Sequence, residues 1–172
     1  MKSTILILSL LTLMSSALQA TDINTSEPTR SCCNKNTCAP KAISCATTIQ
    51  HSGAYCLTKD IVGTILIAAS DVSLDLNSHE INAAGNPNSI TIKDVNNVKV
   101  FNGSVTNSSE AGILIENAVA VALHDLTLQY NPLDGIQLRN IAGLHVENLD
   151  FAHGDRALNL NGLKEAHIGQ VH

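Results

Sequence analysis

Three stretches of the sequence combine carboxylates with a histidine, an arginine and a tyrosine: "TNSSEAGI", "QYNPLDGI" and "FAHGDRAL". Each stretch precedes an apolar run, and these runs start at a nearly fixed interval, so we expect the three stretches to stack on one another. Carboxylates and an arginine held side by side are groups that general acid–base catalysis uses. The candidate catalytic residues are Asp134, Asp155 and Arg156, and the candidate substrate-binding residues are Glu110, Tyr130 and His153.

The separation of the two aspartates decides which chemistry they could perform. Neighbouring strands of a sheet lie about 4.8 Å apart, and a one-residue offset between Asp134 and Asp155 puts their carboxyl groups roughly 5 to 9 Å apart. That range covers the carboxylate separations of both retaining and inverting glycosidases. The alternative interpretation is that these are solvated turn residues, because Asp, Asn and Gly favour turns for conformational reasons.

A repeat positions these groups. Apolar runs start at Ile90, Ile113, Ile136 and Leu158, at intervals of 23, 23 and 22 residues. A fixed period of this size is the signature of a solenoid. Apolar residues at equivalent positions form columns, and so do polar ones: Asp94, Asn117, Asn140 and Gly162 in one column, and Asn102, Asp125, Asn148 and Gln170 in another.

The columns favour a parallel β-helix over a leucine-rich repeat. In the latter, an asparagine follows the last leucine of the core by three residues, whereas Asn148 follows Val146 by two. In a β-helix each residue lies about 4.8 Å from its equivalent in the next coil, so apolar side chains stack into a core and corner asparagines form ladders. The predicted fold class is all-β, a parallel β-helix of about five coils, each with two or three short strands and no helix.

The N-terminal part of the chain carries different signals. Residues 1–20 have a basic start at Lys2, an apolar run and small residues up to Ala20, which predicts a secretory signal peptide and a periplasmic or extracellular location. Residues 21–52 are a Cys-rich segment that we expect to form a disulfide-stapled cap, with a zinc site as the alternative. Cys45 to Cys56 is the favoured bridge, and the other candidates are Cys32, Cys33 and Cys38.

Composition and charge narrow the possible partners. The formal net charge is −5 and no cluster of Lys and Arg occurs, so nucleic acid is not an expected partner. No second apolar segment has membrane-spanning length. The remaining histidines fall at scattered columns and are expected at the surface. Residues 53–172 should form the β-helix, incomplete at its C-terminal end, with chain-to-chain contact expected through its open last coil or a free cysteine.

Two stretches carry a family resemblance. The run "SGAYCLTKDIVGTILIAASDVSLDLNSHEI", followed by coils of the type "NVKVFNGSVTNSSEAGILIEN", resembles right-handed parallel β-helix repeat proteins of the pectin-lyase-like superfamily over residues 53–172. The resemblance implies a right-handed coil and a polysaccharide groove. For an enzyme it implies a polysaccharide lyase or glycoside hydrolase. Its lyase branch implies Ca²⁺ on Asp134 and Asp155, with Arg156 as base or substrate clamp.

The catalytic motifs of that superfamily are not present as a set. His153 and Gly154 form a His-Gly pair without its polygalacturonase partners, and the Asp-His strand motif of the lyases is missing. The expected function is therefore a secreted protein that binds extracellular or cell-envelope polysaccharide, with cleavage left open. The alternatives are a non-catalytic surface or adhesin-like structural module and a truncated, inactive relative of a β-helix enzyme.

Overall fold

Thirteen strands with parallel pairing wind into about five turns of a solenoid in the computed structural model, which describes residues 40–172. These residues contain no helix, and therefore none long and apolar enough to cross a membrane. In chain order the strands are β1 (Lys41–Ile43), β2 (Thr47–Ile49), β3 (Gly53–Leu57), β4 (Ile61–Val62), β5 (Ile65–Ile67), β6 (Val72–Asp75), β7 (Glu80–Asn82), β8 (Asn88–Lys93), β9 (Asn96–Thr106), β10 (Ala111–Gln129), β11 (Asp134–Ala152), β12 (Arg156–Leu163) and β13 (Ala166–Ile168).

The strands pair in three columns, which are the three faces of the solenoid. Face A contains β2, β5, β8, the starts of β10 and β11, and β12. Face B contains β1, β3, β6, the start of β9, the middle of β10 and β11, and β13. Face C contains β4, β7 and the ends of β9, β10 and β11. β10 and β11, of 19 residues each, contribute to all three faces, because pairing with the neighbouring turns continues around the corners.

The register confirms the predicted repeat and its apolar columns. Ile113 lies between Ile90 and Ile136, and Ile136 is paired in turn with Leu158. Side chains alternate between the two faces of a strand, so every second residue points inward. Ile90, Ile113 and Ile136 are fully buried, and burial of each such side chain contributes about 1.5–3 kcal/mol. The stacked apolar columns therefore hold the turns together.

The solenoid begins ahead of the predicted start at residue 53. β1 pairs with β3 and β2 pairs with β5, and their residues Ile43 and Ile49 are buried in the core. Each of these three-residue strands has a single buried side chain, so neither shows the apolar alternation that reveals a strand in a sequence. The predicted signal peptide and the candidates Cys32, Cys33 and Cys38 lie outside the described residues.

The favoured bridge between Cys45 and Cys56 is not formed. Cys45 lies in the bend between β1 and β2 as an exposed, free thiol, whereas Cys56 is buried in β3. A disulfide needs two Cα atoms within about 7 Å and converging side chains. The register puts Cys56 opposite Ala42, and Cys45 lies beyond the end of β1, so this prediction was wrong.

Candidate ligand-binding corner

Three corners separate the faces, and the chain passes through each corner with a residue of positive φ. Corner AB has Asp94, Asn117, Asn140 and Gly162, corner BC has Asn77, Asn102, Asp125 and Asn148, and corner CA has Ala84, Asn107, Tyr130 and His153. Gly adopts this left-handed conformation freely, and Asn and Asp do so more readily than other residues. A bulky side chain is an outlier there. Corner CA therefore differs from the other two, because it carries a tyrosine and a histidine.

Corner AB forms the predicted ladder, and corner BC forms part of its own. At corner AB, Asn117 donates a hydrogen bond to Asp94 (Nδ2 to Oδ1, 2.9 Å), and Asn140 donates to Asn117 (Nδ2 to Oδ1, 3.0 Å). At corner BC, Asn148 donates to Asp125 through the same pair of atom types. These bonds run from one turn to the next, so the amides at both corners have a structural role.

The acidity of Asp125, a carboxylate at corner BC, is changed by its hydrogen-bond partners. The hydrogen bond from the Asn148 amide, and then that from His124, hold the pKa of Asp125 below its ordinary value of 3.8. Both partners favour the ionised carboxylate, because they stabilise its negative charge. The contacts of Asp125 at corner BC therefore stabilise the ionised form of this carboxylate.

Asp134, the first residue of β11, is a buried structural carboxylate. Its side chain is 3 % exposed, its Oδ1 accepts a hydrogen bond from Arg156 Nε at 2.7 Å, and its Oδ2 accepts one from Asn159 Nδ2 at 2.9 Å. Asp134 and Arg156 are also register partners, so this ion pair ties β11 to β12. Because the side chain is buried and each oxygen accepts a hydrogen bond from β12, these contacts give Asp134 a structural role.

Asp155 and Glu110 stand in a different environment from Asp134. Both are exposed, and neither carboxylate has a hydrogen-bond or ion-pair partner within residues 40–172. Asp134 and Asp155 thus do not form two equivalent carboxylates around one site. Within the same part of the chain, no group of three or more His, Cys, Asp or Glu side chains is arranged to hold a metal ion. The predicted calcium site on Asp134 and Asp155 therefore gains no support, since Ca²⁺ takes six to eight oxygen ligands.

Tyr130 and His153 are brought together as the sequence analysis expects, and they stack. Their ring centroids lie 4.4 Å apart with an angle of 15° between the planes. Tyr130 is 52 % exposed and borders a shallow, open depression of about 510 Å³. The other lining residues are His153, Pro132, Gly85 and three small polar residues, Asn107, Ser108 and Ser109. A β-carbon on Gly85 would meet nothing within 4 Å, so the depression is open at that end.

A buried asparagine fixes the backbone beside the tyrosine. Asn131 is 2 % exposed, and its Oδ1 accepts hydrogen bonds from the backbone N–H and the hydroxyl of Ser108, at 3.2 and 2.7 Å. Its Nδ2 donates to the Val105 carbonyl at 3.3 Å. Asn131, Asn107 and the two serines were not among the site residues predicted from the sequence. The signal that could have found them is the corner CA column, in which an aromatic residue replaces asparagine.

Two histidines on face B occupy equivalent positions in neighbouring turns. His145 and His167 are register partners whose rings stack at 5.0 Å with an angle of 2°. His124 stacks on Phe101 at 4.9 Å. The expectation that these histidines fall at scattered columns was therefore wrong for His145 and His167, which share one column.

No protein-family model matches the chain, and no curated protein or solved structure matches it significantly. The structure itself therefore defines the fold class: residues 40–172 form an all-β parallel solenoid. Corners AB and BC carry amide hydrogen bonds between turns, and corner CA carries stacked aromatic rings.

Proposed function

We propose that this chain is an exported, right-handed parallel β-helix protein of the pectin-lyase-like kind that binds extracellular or cell-envelope polysaccharide at corner CA. Parallel strands of one sheet are joined by right-handed connections in nearly all proteins, and export rests on the signal-peptide pattern of residues 1–20. The observation that carries the proposal is the Tyr130 ring, half exposed and attached to backbone of positive φ.

The backbone conformation of Tyr130 is unfavourable for its residue type. A left-handed conformation costs a residue other than glycine about 1–2 kcal/mol. Residues held in such conformations concentrate at functional sites, where the surrounding structure maintains them. At Tyr130 that surrounding structure includes the stacked His153 ring and the hydrogen-bonded Asn131 beside it. An exposed aromatic ring maintained at this cost supports a role in ligand contact.

The depression has the chemistry of a sugar subsite. Ligand sites combine an apolar surface with a few polar groups that fix orientation. The apolar C–H face of a pyranose ring can pack on the Tyr130 ring, while the sugar hydroxyls reach the side chains of Asn107 and Ser109. His153 covers the other side of the tyrosine and restricts its rotation, so less side-chain entropy is lost on binding.

Binding without cleavage is the form of this proposal that the carboxylates support. A glycosidase of the common kind needs two carboxyl groups that flank the scissile bond, and Asp134 is committed to Arg156 and Asn159. A second candidate function is a rigid structural or adhesin-like module. The amide ladders at corners AB and BC favour it, because they stiffen the rod without contributing to a site.

The test is the binding of purified protein to a panel of polysaccharides, measured by isothermal titration calorimetry. Tyr130→Asn removes the ring but keeps a residue that tolerates positive φ, and Tyr130→Phe keeps the ring and removes the hydroxyl. The matched control is Phe101→Ala, which removes a ring stacked on a histidine on face B. We expect Tyr130→Asn to weaken binding about tenfold or more, as the loss of roughly 1.4 kcal/mol of aromatic contact requires.

Tyr130→Phe and Phe101→Ala should bind as the wild type does, because both retain an aromatic ring at position 130. Equal affinity of Tyr130→Asn and wild type would contradict the proposed site. Absence of binding to every polysaccharide by the folded protein would favour the structural module. Unsaturated products or new reducing ends would instead show that the protein cleaves its ligand.

A further inference from the structure

We infer that the glycan bound at corner CA is an uncharged saccharide and not an acidic one. The inference rests on the proposed function and adds the class of ligand to it. Three observations support it: the lining of the depression, the exposed carboxylates of Glu110 and Asp155, and the ion pair that neutralises Arg156.

Apart from the His153 imidazole, the lining of the depression provides only uncharged hydrogen-bonding groups. Within residues 40–172, no Asp, Glu, Lys or Arg side chain lines it. The Ser109 hydroxyl is exposed and has no hydrogen-bond partner in the same part of the chain. Asn107 donates to Thr106 Oγ1 at 3.4 Å and keeps its side-chain carbonyl oxygen available. These groups suit sugar hydroxyls and offer no counter-charge to a carboxylate or a sulfate.

Two exposed carboxylates lie close in sequence to residues that line the depression. Glu110 directly follows the lining residue Ser109, and Asp155 lies two residues after the lining residue His153. Both carboxylates are exposed and lack a cationic partner among the described residues. The whole chain carries a formal net charge of −5, so the long-range field also repels anions. An acidic polysaccharide that approaches corner CA would therefore meet like charge.

Arg156 does not reverse this balance. Its Nε is bonded to the buried Asp134 carboxylate, so the pair is neutral overall. Arg156 lines a different, smaller cavity of about 270 Å³, which it shares with His153 and His172. His153 is the one histidine in the lining of the Tyr130 depression, so all ligands are compared at a single fixed pH of 7.5.

The experiment compares neutral β-glucan and galactan oligosaccharides with oligogalacturonates and sulfated oligosaccharides of equal length, at 20 and 200 mM NaCl. We expect neutral ligands to bind with a dissociation constant that salt leaves unchanged and that rises in Tyr130→Asn. Acidic ligands should bind at least tenfold more weakly at low salt and gain affinity as salt screens the repulsion. The double variant Glu110→Gln/Asp155→Asn should raise affinity for acidic relative to neutral ligands. The charge-matched control Asp150→Asn/Glu165→Gln, which removes two exposed carboxylates away from corner CA, should leave that ratio unchanged.

The outcomes separate this inference from the proposed function. Tyr130-dependent binding of acidic ligands that equals or exceeds that of neutral ones would overturn the inference and leave the proposed function intact. Binding of neither class would remove both. Neutral binding that survives Tyr130→Asn would reject corner CA as the site, and the inference with it.

Discussion

The same substitution should destabilise the protein at Asp134 and have almost no effect at Asp155, because the first carboxylate is buried and bonded and the second is exposed. Asp134→Asn removes the negative charge from a group that is 3 % exposed and that accepts hydrogen bonds from Arg156 and Asn159. Asp155→Asn removes the same charge from an exposed side chain. The two variants are therefore a matched pair that differs in burial and contacts.

The expected loss for Asp134→Asn follows from those two bonds. A hydrogen bond to a charged group contributes about 1.5–3 kcal/mol. The bond from Arg156 belongs at the lower end, because that side chain is 58 % exposed and solvent weakens the pair. The new amide can still accept one of the two bonds, so we expect a loss of about 2–4 kcal/mol in the free energy of unfolding. Asp155→Asn should stay within about 0.5 kcal/mol of the wild type.

The assay is urea-induced unfolding followed by circular dichroism, with hydrogen exchange to locate the effect. Protection should fall first in β12, because the ion pair joins that strand to β11. The single variant Arg156→Gln and the double variant Asp134→Asn/Arg156→Gln complete a double-mutant cycle, in which we expect a coupling above about 1 kcal/mol. Equal stability of Asp134→Asn and Asp155→Asn would refute the assignment of Asp134 as a structural residue. It would return Asp134 to the candidates for catalysis.

Two further predictions concern the ladders. Asn117→Ala, at corner AB, should lower the free energy of unfolding by about 1–3 kcal/mol, because it breaks the hydrogen bonds to both neighbouring turns and leaves alanine at positive φ. Asn117→Gly should lose only the hydrogen bonds. Thermal unfolding measures both variants, and equal melting temperatures would contradict the contribution of positive φ. The folded-state pKa of Asp125 is depressed, so its carboxylate should contribute stability that is present above pH 4 and is lost as the pH falls through the folded-state pKa. Asp125→Asn should therefore reduce the loss of stability at acid pH, measured as the free energy of unfolding against pH. An unchanged loss would contradict this role.

The sequence predicts the solenoid well because every turn repeats the same constraints. The columns of Ile113 and Val121 recur at intervals of 22 to 23 residues and are found in register in the structure. Column identity is a direct consequence of stacking at about 4.8 Å, where a residue's nearest neighbour is its own equivalent. The asparagine ladders follow from the same repetition. A pattern that recurs in every turn can therefore be recognised from the sequence alone.

The candidate site was predicted less well because its features occur once. The sequence brings Tyr130 and His153 to one corner, yet the ring stack depends on side-chain directions that spacing does not specify. The interpretation of Asp134 and Asp155 as a catalytic pair depends on which carboxylate points inward. A one-residue offset decided this, by placing Arg156 and not Asp155 opposite Asp134.

The sequence by itself determined the period, the parallel β architecture and the residues that fill its core, because alternation along a strand and repetition between strands are properties of the chain alone. The tertiary structure decided which corner residues are buried, paired or free: Asp134 against Arg156, Tyr130 against His153, and Cys45 apart from Cys56. Burial and partnership depend on the register and on residues from the next turn. For that reason the same aspartate that reads as a catalytic group in the sequence is a structural ion pair in the folded protein.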